Sequence, residues 1–162
     1  VALAHTGIFI SDGDTNVMPV ANHRGDHLSY QQQKENQGSV HNAWRIGFNH
    51  TTHSLINGLY QGWDLNPAQL PMRYAATYNF FLSSYSDVVF RLKTFVERAA
   101  ISTLTGDIFD DAATGQGLLN FFLKAINCGA ITEEEATATG LSLDEIRTRS
   151  FYRILEGRRN KK

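Results

Sequence analysis

Apolar residues recur every three to four positions at Val40, Trp44, Phe48, Thr51, Leu55 and Leu59, the spacing of one face of an amphipathic helix. Gly58 supplies a stop, so the pattern predicts a helix over 40–58. The stretch before it, Pro19 to Ser39, is rich in Asn, Gln, Gly, Asp and His and has no apolar period. This predicts a polar loop over 19–39, long for a connection within a domain and therefore a candidate binding lid. Two short apolar runs flank these segments. Ile8-Phe9-Ile10 follows a turn at Thr6-Gly7 and ends in Ser11-Asp12-Gly13-Asp14, and Leu59 to Leu65 is bounded by Gly58 and Asn66-Pro67. Both are too short for helices, which predicts strands near 8–10 and 59–65. Strand, loop, helix and strand in that order predict an α/β unit with parallel strands.

Beyond Asn66 the period is helical throughout. Pro71 suits a first helical turn, where its missing N–H costs nothing, and Tyr74, Tyr78, Phe81, Leu82 and Tyr85 follow on one side. The pattern continues through Val88, Leu92 and Val96, with a bend or restart expected near Ser86-Asp87. Asp110 or Asp111 can cap a helix carrying Leu118, Leu119, Phe122 and Ile126, which ends around Cys128-Gly129. Thr132-x-x-Glu135 and Ser142-x-x-Glu145 read as two capping boxes, with Gly140 between them as a left-handed stop. Helices are thus expected over 71–157, with 158–162 a frayed, disordered polar tail. By content the chain is mostly α.

Composition narrows the class without changing this picture. The 162 residues are 42% hydrophobic with a formal net charge of −1, a balance that gives no strong field for nucleic acid or anionic lipid and leaves small-molecule chemistry or protein contact. No apolar run reaches the roughly 18 residues that cross a bilayer. Cys128 is the single cysteine, which excludes an internal disulfide and a Cys-based zinc site and fits a reducing, cytoplasmic setting.

The densest polar constellation is Gly62-Trp63-Asp64-Leu65-Asn66-Pro67-Ala68-Gln69. At the C-terminal end of a parallel strand, Asp64, Asn66 and Gln69 would point into a ligand site. Alternatively, Asn66 caps the helix begun by Pro67 while Asp64 bonds to a turn amide. Spacing leaves both open. His50 and His53, three apart on a helix, are weak evidence for a metal site and read better as solvent-facing side chains. A helix-turn-helix spacing at Ala136, Gly140 and Ile146 is undercut by Asp144 and Glu145, carboxylates at the end that would have to face phosphate.

The segment YQGWDLNPAQLPMRYAATY, Tyr60 to Tyr78, resembles the closing strand and loop of the HpcH/HpaI aldolase and citrate lyase family, which often carries His-Pro-x-Gln there. It is closer to a bacterial and fungal branch with Gly-Trp-Asp-Leu-His-Pro-Ala-Gln-Leu-Pro, in which Phe9 to Asn16 also has a counterpart. The resemblance implies the last two strands of a (β/α)₈ TIM barrel followed by a helical tail. A whole barrel takes about 250 residues, so part of it would lie outside these 162. It further implies a carbon–carbon lyase or aldolase that acts on a 2-keto acid or acyl thioester through an enolate stabilised by a divalent cation, Mg2+, with metal ligands and main catalytic groups upstream of Val1. The enzyme would be a cytoplasmic homo-oligomer. Positions carried over as substrate-binding are Asp12, Asn16, Asp64, Asn66 and Gln69. Asn66 stands where the family has histidine; it can hydrogen-bond but not titrate. The rival expectation is a non-enzymatic helical interaction module built from Pro71 to Leu155.

Overall fold

The computed structural model describes residues 10–13, 15–60, 62–105 and 112–160, with backbone alone for 100–105 and 112. The chain divides into two compact units, 1–80 and 81–162, the boundary falling inside a long helix.

In the first unit a non-helical strap, residues 10–13 and 15–29, leads into α1 (Tyr30–Ile56). The start of α1 is set by a full capping box. Ser29 Oγ accepts from Gln32 N at 3.2 Å and Gln32 Oε1 accepts from Ser29 N at 2.9 Å, so two otherwise orphaned amides are satisfied. Strap and helix run antiparallel, as their side-chain ties show. Asp12 accepts from Ser54 Oγ, Thr15 Oγ1 lies 3.1 Å from His50 Nδ1, Ser39 Oγ donates to Val20 O and Asn22 Oδ1, and Asn36 brackets the backbone of His23 at 2.8 and 2.9 Å. The buried line of α1 is Ala43, Gly47, Thr51, Ser54 and Leu55, mostly small side chains. That narrow stripe permits close approach: the Met72 thioether rests on Gly47, where a Cβ would overlap it.

After Gly58, whose φ of 78° places it in the left-handed region, the chain passes through an irregular segment to a 3-10 turn, Pro67–Gln69. α2 (Leu70–Thr105) follows directly. Pro71 sits in its first turn, as its missing N–H requires.

The second unit holds the rest of α2, α3 (Ala112–Asn127), α4 (Glu133–Ala136) with a 3-10 turn at Thr137–Thr139, α5 (Leu143–Arg147) and α6 (Phe151–Arg159). Its core is aromatic and aliphatic: Phe81, Leu92, Leu119, Phe122, Phe151 and Ile154 are all buried. Phe81 and Phe121 meet edge-on with ring centroids 5.1 Å apart, and Phe95 and Phe151 meet tilted at 5.6 Å, within the range in which ring quadrupoles add to area burial. α3 packs on α6 through Gly115, where a Cβ would collide with the Phe151 ring. Both predicted capping boxes form, at Thr132/Glu135 and Ser142/Glu145, and Gly140 takes the left-handed stop at φ 80°. Arg158 donates to both carboxylate oxygens of Glu145, at 2.5 and 2.8 Å, and to Gly140 O at 2.8 Å, so the tail of α6 is fastened to the start of α5.

Several expectations are overturned. The protein is 71% helical, and among the described residues there is no sheet, so the chain is all-helical and not an α/β fold or the end of a (β/α)₈ barrel. Residues 59–60 and 62–65 are irregular rather than strand. Tyr60, Trp63 and Leu65 face outward, and among the described residues no strand runs beside them. In the predicted strand 8–10 only Ile10 is described, and it is not in a strand; the proposed cap at Asp110 or Asp111 lies outside the described residues. The predicted loop 19–39 is strap only to Ser29. From Tyr30 it is helix, because the capping box nucleates a turn that polar, helix-compatible Gln, Lys and Glu residues continue. α1 therefore replaces the predicted helix 40–58. No break occurs at Ser86-Asp87, since α2 runs through it. Residue 158 belongs to α6 rather than to a disordered tail. Among the described residues no helix is long and apolar enough to cross a membrane.

Candidate functional site

The two segments singled out by sequence, 12–16 and 62–69, meet in the first unit through one side chain. Gln69 is 1% exposed, and its amide is fully engaged. Nε2 donates to Thr15 O at 2.8 Å, while Oε1 accepts from Leu65 N at 2.8 Å and Asn66 N at 3.0 Å. A buried amide engaged at both ends fixes three backbone groups of two segments, because leaving any of those groups unpaired costs about 1–3 kcal/mol. Gln69 is thus internal, holding the site rather than facing a ligand.

Asn66 caps the 3-10 turn. Its Oδ1 accepts from Ala68 N at 2.9 Å, and with Gln69 at the third position it completes a capping box. Of the two alternatives for Asn66, capping is realised. Among the described residues Asp64 bonds to no turn amide; instead Oδ2 accepts from Arg73 Nε at 2.5 Å, and Oδ1 is buried with no hydrogen-bond partner among them. Arg73 Nη2 also donates to Trp63 O at 2.7 Å. Sequence reasoning missed Arg73. A helical i, i+9 pairing from loop to helix has no local signature, and only the proximity of Gly62, whose absent Cβ leaves room for the guanidinium, hints at it in retrospect.

At the other segment, Asp12 Oδ1 accepts from its neighbour Gly13 N at 3.0 Å while Oδ2 takes the Ser54 hydroxyl. Thr15 is buried beside His50, and Asn16 is exposed. Ser54, which the sequence did not single out, and His50, which it read as a solvent-facing side chain, join this cluster from α1. Trp44 Nε1 donates to Ala68 O at 2.8 Å, tying α1 to the same turn.

The cation implied by the family resemblance does not fit these residues. Asp12 is committed to a hydroxyl and an amide, Asp64 to a guanidinium, and among the described residues no group of three or more His, Cys, Asp or Glu gathers to hold a metal ion. The site as built is a hydrogen-bonding cluster beside an outward-facing apolar set: Tyr60, Trp63, Leu65, Leu70 and Tyr74 are all exposed, Trp63 at 60%. Burial pushes the Tyr60 hydroxyl pKa up, so this phenol stays a neutral donor across the physiological range.

The helix-turn-helix spacing builds no reading head. α4 and α5 have four and five residues, and two cations there are engaged, Arg147 with Glu133 at 2.6 Å and Arg158 with Glu145. No curated protein and no solved structure matches the chain. A family model does, over residues 1–154, and is described as a domain of unknown function, DUF6986. Because that match spans nearly the whole chain, the protein belongs to the DUF6986 family.

Proposed function

We propose that this chain contributes the substrate-binding rim of a carbon–carbon lyase that acts on a 2-keto acid or acyl thioester in the cytoplasm. The observation that carries the reading is the Gln69 bridge. The two segments that resemble citrate-lyase-like enzymes, separated by about 50 residues in sequence, are joined by a buried hydrogen bond to Thr15 O. Preorganisation of this kind is what a binding rim needs, since supporting side chains locked by packing hold first contacts in place. We place any cation ligands and the main catalytic groups on residues outside this segment, so the 162 residues alone are expected to bind without turnover.

The test is nuclear magnetic resonance titration of the chain with pyruvate and with an acetyl thioester, observing the Trp63 indole and the amides of 62–69, alongside a retro-aldol assay. Shifts confined to that loop and to 12–16, with no turnover, are expected. If neither probe moves any of those signals at millimolar concentration, the lyase reading fails.

A further inference from the structure

We infer that the outer face built by the loop before α2 and the first three turns of α2 is the surface on which a second copy of this chain docks, giving a two-fold dimer. The inference does not depend on the lyase reading. It rests on the make-up of that face.

The loop is laid along the helix. Tyr60 meets the Phe80 ring edge-on with centroids 6.5 Å apart, and Trp63 O accepts from Arg73 Nη2 at 2.7 Å, so loop and helix side chains share one surface. Tyr60, Trp63, Leu65, Leu70 and Tyr74 are each 40–60% exposed on it. An aromatic side chain buries about 150–250 Å² when fully covered, so these five present roughly 400 Å² of apolar surface. Against its own copy the face would cover about 800 Å² of apolar area. Polar surface makes up some two-fifths of an ordinary interface, which brings the contact to about 1,400 Å², within the range of specific complexes.

Charge selects the occupant. Between Tyr60 and Phe80 the only Asp, Glu, Lys or Arg residues are Asp64 and Arg73, and these two bond to each other. A face without net charge meets its own copy with no like-charge repulsion, and it offers nothing to steer a strongly acidic or basic partner. Relief adds to the match. Along α2 the large row Leu70, Tyr74 and Tyr78 stands beside the smaller row Pro71, Ala75 and Asn79, whose three members are all exposed. Rows of residues four apart are the ridges and grooves of helix packing, so about a two-fold axis the large row of each copy fits beside the small row of the other. Phe90 lacks this setting. It is exposed, but Asp87, Arg91 and Lys93 flank it in sequence.

The test is sedimentation velocity of the full chain and of Trp63→Glu, Tyr74→Glu and Phe90→Glu from about 1 to 500 μM, a span that brackets micromolar affinity. Circular dichroism checks that each variant keeps the wild-type helix content, as exposed positions allow; a glutamate variant that loses it is replaced by serine at the same position, with the same expectation. The wild type should sediment as a monomer–dimer equilibrium. Trp63→Glu and Tyr74→Glu should each raise the dissociation constant at least about thirtyfold, the effect of removing a central interface anchor, while Phe90→Glu leaves it unchanged. A wild type that stays monomeric at the highest concentration overturns the inference and gives the face to another occupant. A dimer that survives the changes at both Trp63 and Tyr74 overturns it too, as does one that Phe90→Glu weakens equally. Open-ended association in place of a dimer overturns the two-fold geometry.

Discussion

The two units of the chain are held by different physics. The second is organised by buried rings: Phe81, Phe122 and Phe151 are each at most 2% exposed, and its short helices are closed by caps and by Arg158 on Glu145. In the first unit, α1 buries a stripe of small residues, and the strap is fixed by Asp12, Thr15, Asn22 and His23 through directional bonds to α1. Apolar burial is tolerant of small displacements, whereas hydrogen bonds weaken steeply with angle and distance. The contrast teaches where specificity resides. The first unit spends its sequence on placing polar groups, which suits a site; the second spends its sequence on area, which suits a scaffold.

The largest effect that would sharpen this contrast is expected in the aromatic core. Phe151→Ala should destabilise the second unit by about 3–5 kcal/mol, because it removes a fully buried ring and leaves a cavity beside Gly115. Chemical denaturation monitored by circular dichroism checks this, and a loss under 1 kcal/mol would show that the unit does not depend on that core. Next comes Gln69→Leu, which keeps volume but leaves Thr15 O, Leu65 N and Asn66 N without their partner. A loss of about 2–4 kcal/mol is expected from buried groups left unpaired, with increased amide exchange at 12–16 and 65–66 and little change in the second unit. Equal exchange in wild type and variant would break the claim that one amide joins the two segments.

The smallest effect concerns pH. The hydrogen bond from Arg158, helped by the Ser142 cap, holds the Glu145 carboxyl below its usual 4.5. Because the folded value is depressed, the associated stability is present above pH 4.5 and is lost as pH falls through the folded value. The pair is partly exposed, so screening limits it to roughly 1 kcal/mol. Glu145→Gln should lower stability by about that amount at pH 7 and flatten the acid limb of the stability profile below 4.5. A variant with the wild-type profile would remove this link between α5 and α6.

Much of the second unit was legible from sequence because its determinants are local. Thr132-x-x-Glu135, Ser142-x-x-Glu145 and Gly140 act within a few residues of where they stand, and each forms as its pattern predicts. The first unit was harder. Tyr30 to Ser39 has no apolar period, since that end of α1 is covered by a polar strap rather than by a core, so pattern alone reads it as loop. Leu59 to Leu65 has strand composition, but a strand exists only where another strand pairs with it, and none does among the described residues.

The site divides in the same way. For Asn66 the sequence left capping and ligand binding open, and the structure realises the cap. Sequence by itself determined the helical periods beyond Pro71, the caps at Thr132 and Ser142 and the left-handed stop at Gly140. Tertiary structure alone decided that Gln69 faces inward to Thr15, that Asp64 is held by Arg73, and that Ser54 and His50 join Asp12 and Thr15. The physical reason is range: caps and periods are energies between near neighbours in the chain, whereas these pairings depend on which distant groups the packing brings within about 3 Å of one another.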